Sequence, residues 1–129
     1  MMTFGLAWIA FALAVAVHVA DEAAHDFLAV YNPMARAIRQ KLHLPIPTFR
    51  FSVWLAGLMA GIILHLLLSP AAFAGSPQLR LVAWPLAILI GIGNALLHVA
   101  GSIRFRRLMP GVYSSPLLLA AAVFLLWAA

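Results

Sequence analysis

Residues 4–30 read FGLAWIAFALAVAVHVADEAAHDFLAV, an apolar run that carries all three acidic residues of the chain near its end. The acids are interleaved with two histidines: His18, Asp21, Glu22, His25 and Asp26. On a helix that turns about 100° per residue, these side chains share one arc and the intervening apolar residues occupy the other. The pattern predicts a membrane helix with ionisable side chains on one face and apolar side chains on the other.

The composition of the chain is typical of an integral membrane protein. Of its 129 residues, 66% are hydrophobic and 9% are charged, and the mean hydropathy is +1.07. This length accommodates four spans of about 20 residues with short connections. We therefore predict an all-α membrane protein, a single domain of residues 1–129 with four transmembrane helices in a compact bundle. The apolar segments are 4–30, 51–68, 81–103 and 109–129.

Basic residues are concentrated in two of the three predicted loops. Seven of the eight, all except Arg80, follow the first or the third apolar segment. The positive-inside rule places these loops in the cytoplasm and both termini on the non-cytoplasmic side. The net charge of +5 is thus an orientation signal and not the mark of a nucleic-acid binder. We expect the chain in a bacterial inner membrane, with its first segment retained as a helix because that segment lacks the basic start of a signal peptide.

Local patterns predict how some segments pack. The Asn-Pro pair at 32–33 is typical of a helix start and predicts a short basic helix on the membrane surface. Gly57 with Gly61, and Gly91 with Ala95, are small residues four apart. Such pairs allow close helix packing, either inside the bundle or in a homodimer.

The polar residues of two predicted helices lie at matching depths in the membrane. Counted from the inner ends of their segments, His18 and Asn94 lie at roughly 15 and 13 Å, and Glu22 and His98 at roughly 9 and 8 Å. Asn94 and His98 are four residues apart and share a helical face. Because the fourth segment begins at Pro110 and Gly111, which brings Ser114 to a similar depth, we expect three helices to converge on one pocket near the inner leaflet.

Three motifs occur in order along the chain. Residues 18–22 read HVADE, residues 94–98 read NALLH, and residues 108–111 read LMPG. They resemble the His-x-x-Glu-Glu, Asn-x-x-x-His and Tyr-x-Pro-Gly motifs of a family of small membrane proteins named for its HXXEE motif, whose function is not established. The resemblance covers nearly the whole chain and implies a carboxylate and histidine core. Asp21 keeps the charge of the first glutamate with a shorter reach, whereas Leu108 removes a phenolic hydroxyl.

The polar residues suit a metal site. His18 and Glu22, at positions i and i+4, offer a nitrogen and an oxygen, and His98 offers a second nitrogen. Further residues could complete or orient the ligand shell: Asp21, His25, Asn94 and Ser114. Two histidines and one carboxylate suit a divalent transition metal, either catalytic Zn(II) or non-haem Fe(II), with a coordination position left open.

Such a site predicts hydrolysis. Asp21 or Glu22, whichever does not bind the ion, would act as general base on water that the ion activates. A pocket near the cytoplasmic leaflet, in a chain without a soluble domain, predicts a lipid or another small membrane-dissolved molecule as substrate. A Ser-His-Asp triad is not predicted, because the residues around Ser114 lack the pattern of an activated serine.

Non-hydrolytic interpretations remain open at the level of sequence. The polar cluster could be a clasp that fastens helices, with an interhelical hydrogen bond contributing about 0.6 kcal/mol on average. It could also handle protons or cations, since carriers place such residues inside the membrane. His18 and His98 could hold a haem. His65 stands apart, and a solitary histidine on an apolar helix is typically hydrogen-bonded to a neighbouring helix.

Overall fold

The computed structural model describes residues 2–129, which form six helices and, within that range, no β-strand. The predicted all-α class is confirmed. The helices are α1 (Met2–Ala24), α2 (Phe27–Leu42), α3 (Phe51–Leu67), α4 (Ser69–Phe73), α5 (Pro77–Phe105) and α6 (Ser115–Ala128).

Two of these helices, α1 and α5, are long and apolar enough to cross a membrane. The other two apolar helices are shorter, with 17 residues in α3 and 14 residues in α6. At 1.5 Å per residue α6 is about 21 Å long, whereas a bilayer has a hydrocarbon core of about 30 Å. Two helices, and not the predicted four, therefore meet the length requirement by themselves.

The predicted first and fourth segments are both interrupted by residues with a left-handed backbone. The first segment does not continue as one helix to Val30: α1 ends at Ala24, because Asp26 has a φ of 54° and the chain turns there before α2. The fourth segment begins with a turn in which Gly111 has a φ of 87°. The helix α6 therefore starts at Ser115 and not at Met109.

The helix α2 begins earlier than the Asn-Pro pair predicts. It begins at Phe27 and continues through Pro33, so Asn32 does not cap it. Instead, the Asn32 amide donates to the Phe49 carbonyl at 2.9 Å and accepts from the Phe49 N–H at 3.0 Å. These two hydrogen bonds hold the 43–50 loop against α2.

The helix α5 changes its winding midway. Directly after Pro85, which cannot donate a helical hydrogen bond, residues Leu86–Gly93 form a π-helix, and α-helical winding returns at Asn94. Hydrogen bonds from i to i+5 carry more residues per turn than those of an α-helix. The winding therefore changes the direction in which Asn94 and His98 point.

The central helix is α1, which packs against α3, α4 and α6, while the π-helical part of α5 also packs against α6. Their shared core contains five large buried side chains: Phe4, Trp8, Phe11, Leu118 and Leu125. Gly91 permits the close approach of α5, since a Cβ at this position would collide with Ala122. Gly57 and Gly61, by contrast, face open space, so the GxxxG pair does not pack within the chain.

His65 fastens α3 to α1. The Trp8 indole N–H donates to the His65 carbonyl at 2.8 Å, and His65 Nε2 donates to the Trp8 carbonyl at 3.0 Å. The two rings are stacked with their centroids 4.0 Å apart. The predicted hydrogen bond of this histidine to a neighbouring helix is present, and the partly buried His65 is not among the residues of the polar cluster.

Candidate metal centre

Three buried side chains from α1 and α5 meet at one point: His18, Glu22 and His98. Glu22 Oε1 lies 3.6 Å from His18 Nε2 and 3.0 Å from His98 Nε2. One ligand atom from each residue lies within 4.8 Å of the others. The residues are only 2%, 5% and 5% exposed, respectively. The structure thus brings the three predicted metal ligands together in a site closed to bulk solvent.

Two of the three donor separations suit a tetrahedral divalent metal ion, and all three donor atoms lie within 4.8 Å of one another. Ligand atoms about 2.0–2.1 Å from such an ion lie about 3.3 Å from one another. The two measured separations from Glu22 Oε1, 3.0 and 3.6 Å, lie on either side of that value. Two imidazole nitrogens and one carboxylate oxygen leave a fourth position open, which is the arrangement of catalytic sites.

Ser114 determines which nitrogen of His18 faces the cluster. The Ser114 hydroxyl donates to Asp21 Oδ2 at 2.7 Å, and the Ser114 N–H donates to the same oxygen at 2.9 Å. Because the hydroxyl proton is used on Asp21, His18 Nδ1 must donate its own proton to Ser114 Oγ, 2.8 Å away. This tautomer leaves a lone pair on His18 Nε2, the nitrogen nearest Glu22.

Asn94 also contacts the ligand nitrogen of His18. Its amide nitrogen donates to His18 Nε2 at 3.2 Å. Asn94 is the first residue of the α-helical winding that follows the π-helix, and His98 lies one turn later. The π-helical segment therefore places both side chains against α1, in agreement with the predicted shared face.

Gly111 forms the wall against which the two histidine rings lie. A Cβ at this position would be 2.8 Å from His98 Cε1 and 3.0 Å from His18 Cε1. The Gly111 carbonyl accepts a hydrogen bond from Ser115 Oγ at 2.8 Å, which holds the turn to the first residue of α6. Sequence reasoning missed this contact, although a glycine after a proline and before a helix signals a turn.

Ser102 ties the same turn to α5. Its hydroxyl donates to the His98 carbonyl at 2.8 Å and accepts from the Met109 N–H at 2.9 Å. Sequence reasoning missed this serine too, because nothing in its spacing distinguishes it from an ordinary helix residue. The consequence is that the backbone next to Gly111 and the helix that carries His98 are held in a fixed relation.

Asp21 and His25 lie outside the group of three donors. Asp21 Oδ2 is engaged by Ser114, and Asp21 Oδ1 lies 2.8 Å from His25 Nδ1. His25 Nδ1 is also 2.8 Å from the Asp21 backbone carbonyl, and the His25 side chain is half exposed. Because the Asp21 carboxylate is directed at Ser114 and His25, the geometry favours a positioning role over the predicted role of general base.

A haem between His18 and His98 does not fit this geometry. The rings are in edge-to-face contact with their centroids 4.9 Å apart. Glu22 lies against both nitrogens, and Gly111 closes the side next to the two Cε1 atoms. These residues leave no flat slot in which a porphyrin could lie between the two imidazoles.

Comparison with protein families identifies one match for this chain. The model described as "Protein of unknown function with HXXEE motif" matches residues 8–126, a range that includes every residue of the cluster. Neither the curated proteins nor the solved structures provide a match. The motif begins at His18, with Asp21 at its first acidic position and Glu22 at its second. The chain therefore belongs to the HXXEE family of proteins of unknown function.

Proposed function

We propose that this protein binds a divalent transition-metal ion through His18, Glu22 and His98. The observation that carries the proposal is the approach of three buried donor atoms to within 4.8 Å of one another. An ionised carboxylate is costly to bury without a counter-charge. A cation between Glu22 and the two histidines would supply that counter-charge, and the separations of the donor atoms suit zinc or ferrous iron.

We further propose that the chain crosses the membrane four times. The helices α1 and α5 would be full spans, α3 would be extended by α4, and α6 would be extended by the turn before it. Large apolar side chains on the outside of the bundle support lipid contact, since Leu67, Leu81 and Leu97 are 71%, 75% and 72% exposed. Both basic loops would lie in the cytoplasm of a bacterial cell, with both termini on the other side of its inner membrane.

The chemistry best suited to this site is metal-dependent hydrolysis of a lipid or another membrane-dissolved small molecule. A bound zinc or ferrous ion supplies Lewis-acid chemistry and activates water. The residues of the chain would hold and orient the reacting groups: Ser114 directs the Nε2 lone pair of His18 toward the cluster, where a bound ion would replace the Asn94 hydrogen bond, and Glu22 has a second carboxylate oxygen that can accept a proton. No nucleic-acid partner is proposed. A homodimer would need a helix of the partner to enter the groove at Gly57 and Gly61, which residues of α1 and α5 also line.

A polar clasp or a proton-handling site is the second candidate. Hydrogen bonds from Ser114 and Asn94 to His18 already join α6 and α5 to α1. In this case the cluster would fasten three helices or relay protons, and no metal would be needed. The two candidates differ in metal content and in the consequence of losing His98.

Elemental analysis of protein purified without chelator separates the two candidates. We expect about one zinc or iron per chain, consistent with one set of three ligands. Glu22→Gln and His98→Ala should each lose the metal while the helices remain folded, and chelation should abolish any lipid hydrolysis by the wild type. His43→Ala is the matched control, because His43 lies in the exposed 43–50 loop. Wild-type protein without stoichiometric metal, together with unchanged thermal stability of His98→Ala, would contradict the metal proposal.

A further inference from the structure

A pocket lies against the turn that carries Gly111, which contacts the two histidines of the proposed metal centre. Its volume is about 250 Å³. Met109 and Pro110 form part of its wall, and the next residue, Gly111, contacts the rings of His18 and His98. The pocket is smaller than the roughly 300–1,000 Å³ that encloses a complete small-molecule ligand. It therefore has room for the head group of a larger molecule.

The polar lining of this pocket contains one permanent cation, Arg107. It comprises His25, Arg107 and Tyr113. Within residues 2–129, the close ion pairs all involve histidines, and no carboxylate lies within 4 Å of the Arg107 guanidinium. An arginine without a counter-ion offers a planar set of donors that matches the oxygens of a phosphate or carboxylate. A phenol and an imidazole beside it add further donors, which favours the oxygen-rich phosphate.

The remaining lining is apolar, and part of it faces outward. The apolar lining residues are Val30, Leu108 and Met109, and the Leu108 side chain is 64% exposed. A free anion in water would gain nothing from these side chains, whereas an acyl chain attached to the anion would bury them. The lining thus combines the two recognition elements of an anionic lipid, one for its head group and one for the start of its chains.

A continuous set of close contacts joins this pocket to the metal centre. His25, in the pocket wall, lies 2.8 Å from Asp21 Oδ1. Asp21 Oδ2 accepts from the Ser114 hydroxyl at 2.7 Å, and Ser114 Oγ lies 2.8 Å from His18 Nδ1. An anion beside His25 would therefore be coupled to the orientation of a proposed metal ligand.

We propose that this pocket binds a phosphate group carried by an anionic membrane lipid, and so selects a phospholipid as the substrate of the metal centre. The substrate role rests on the proposed hydrolytic function. The binding itself rests only on the pocket residues and can be measured without the metal.

Lipid retention by the full chain in neutral detergent tests this proposal. The protein is incubated with equal amounts of phosphatidylglycerol and of a phosphate-free diacylglycerol with the same acyl chains, and bound lipid is counted by native mass spectrometry. We expect selective retention of phosphatidylglycerol and a loss of about tenfold in Arg107→Gln, as for the removal of one charged hydrogen bond. Arg106→Gln is the matched control, because Arg106 does not line the pocket. Tyr113→Phe, which removes only a hydroxyl, should give a smaller loss.

Metal content measured on the same samples keeps the two proposals separate. Retention of phosphatidylglycerol by His98→Ala or by chelated protein would support the pocket even if the metal centre failed. Equal losses in Arg106→Gln and Arg107→Gln, or equal retention of the diacylglycerol, would overturn it. Competition with inorganic phosphate decides the source of the anion. Displacement of the lipid by millimolar phosphate would overturn the lipid assignment, and persistence of the lipid would support it.

Discussion

The imidazole of His18 and the hydroxyl of Ser114 are 2.8 Å apart, although 96 residues separate them in the chain. The hydroxyl donates to Asp21, so the contact with His18 determines the tautomer of the imidazole. Metal-binding histidines typically donate their second ring nitrogen to such a partner, which orients the ring and raises the basicity of the ligand nitrogen. Ser114 and Asp21 would thus act on the proposed metal centre through His18.

Removal of the Ser114 hydroxyl should weaken metal binding without unfolding the protein. We expect Ser114→Ala to lower metal affinity by about 10–100-fold, the usual effect of losing a partner of a ligand. The measurement is metal retention against a competing chelator. Ser69→Ala is the control, since the buried Ser69 hydroxyl has no hydrogen-bond partner within the described residues. Equal metal retention by Ser114→Ala and the wild type would rule out a positioning role for the serine.

Substitution of Gly111 should disturb both histidines at once. In Gly111→Ala the new methyl group would meet the two rings, and the φ of 87° would strain the backbone by about 1–2 kcal/mol. We expect a lower melting temperature and a loss of metal. Gly57→Ala is the matched control: it faces open space within a helix and should be neutral or stabilising by up to about 1 kcal/mol. Identical melting temperatures for the two variants would contradict this role of Gly111.

The paired hydrogen bonds of Trp8 and His65 should stabilise the bundle without affecting the metal. Trp8→Phe removes the indole donor to the His65 carbonyl and should lower the free energy of unfolding by about 0.6–1.7 kcal/mol. Trp84→Phe is the control, because the Trp84 side chain is exposed. Thermal unfolding and metal content are measured on the same samples. Loss of metal from His65→Ala in folded protein would show that His65 has a role at the centre.

The proposed topology can be tested with single cysteines, because the chain contains none of its own. Thr48 lies in the basic loop after α2, and Ala74 lies in the loop between α4 and α5. A thiol reagent that cannot cross the membrane should label Ala74→Cys in intact cells, and should label Thr48→Cys only after the cells are opened. The reverse result would place the termini in the cytoplasm and move the metal centre to the outer leaflet.

The helical class and the three proposed metal ligands could be predicted from the order of residues. Helical periodicity places His18 above Glu22, and it places Asn94 on the face of His98, whatever the rest of the chain does. The matching depths of the two pairs in their predicted segments then indicated that the two helices hold them at the same level in the membrane. Local geometry was sufficient for the pairs within each helix, whereas the meeting of the two helices was inferred from the matching depths of the two pairs.

The ends of the helices could not be predicted in the same way. Asp26 and Gly111 have positive φ values that interrupt the helices within apolar runs. The hydropathy of a segment contains no information about φ, so it could not predict these interruptions. Asn32 has the composition of a helix cap, yet its amide is used by the backbone of Phe49. In each case a contact distant in sequence, or a turn with its own backbone geometry, prevailed over a local pattern.

The partners of the two adjacent carboxylates were decided only by tertiary structure. Asp21 and Glu22 are neighbours in one helix, and the i, i+4 spacing from His18 predicts Glu22 as the ligand but does not give the distant residue that either carboxylate meets. Glu22 meets His98, which α5 carries one turn after its π-helical segment, while Asp21 meets Ser114 because the turn at Gly111 returns the chain to α1. Helical periodicity determines which residues share a face, but the partner of each face depends on the packing of the whole bundle.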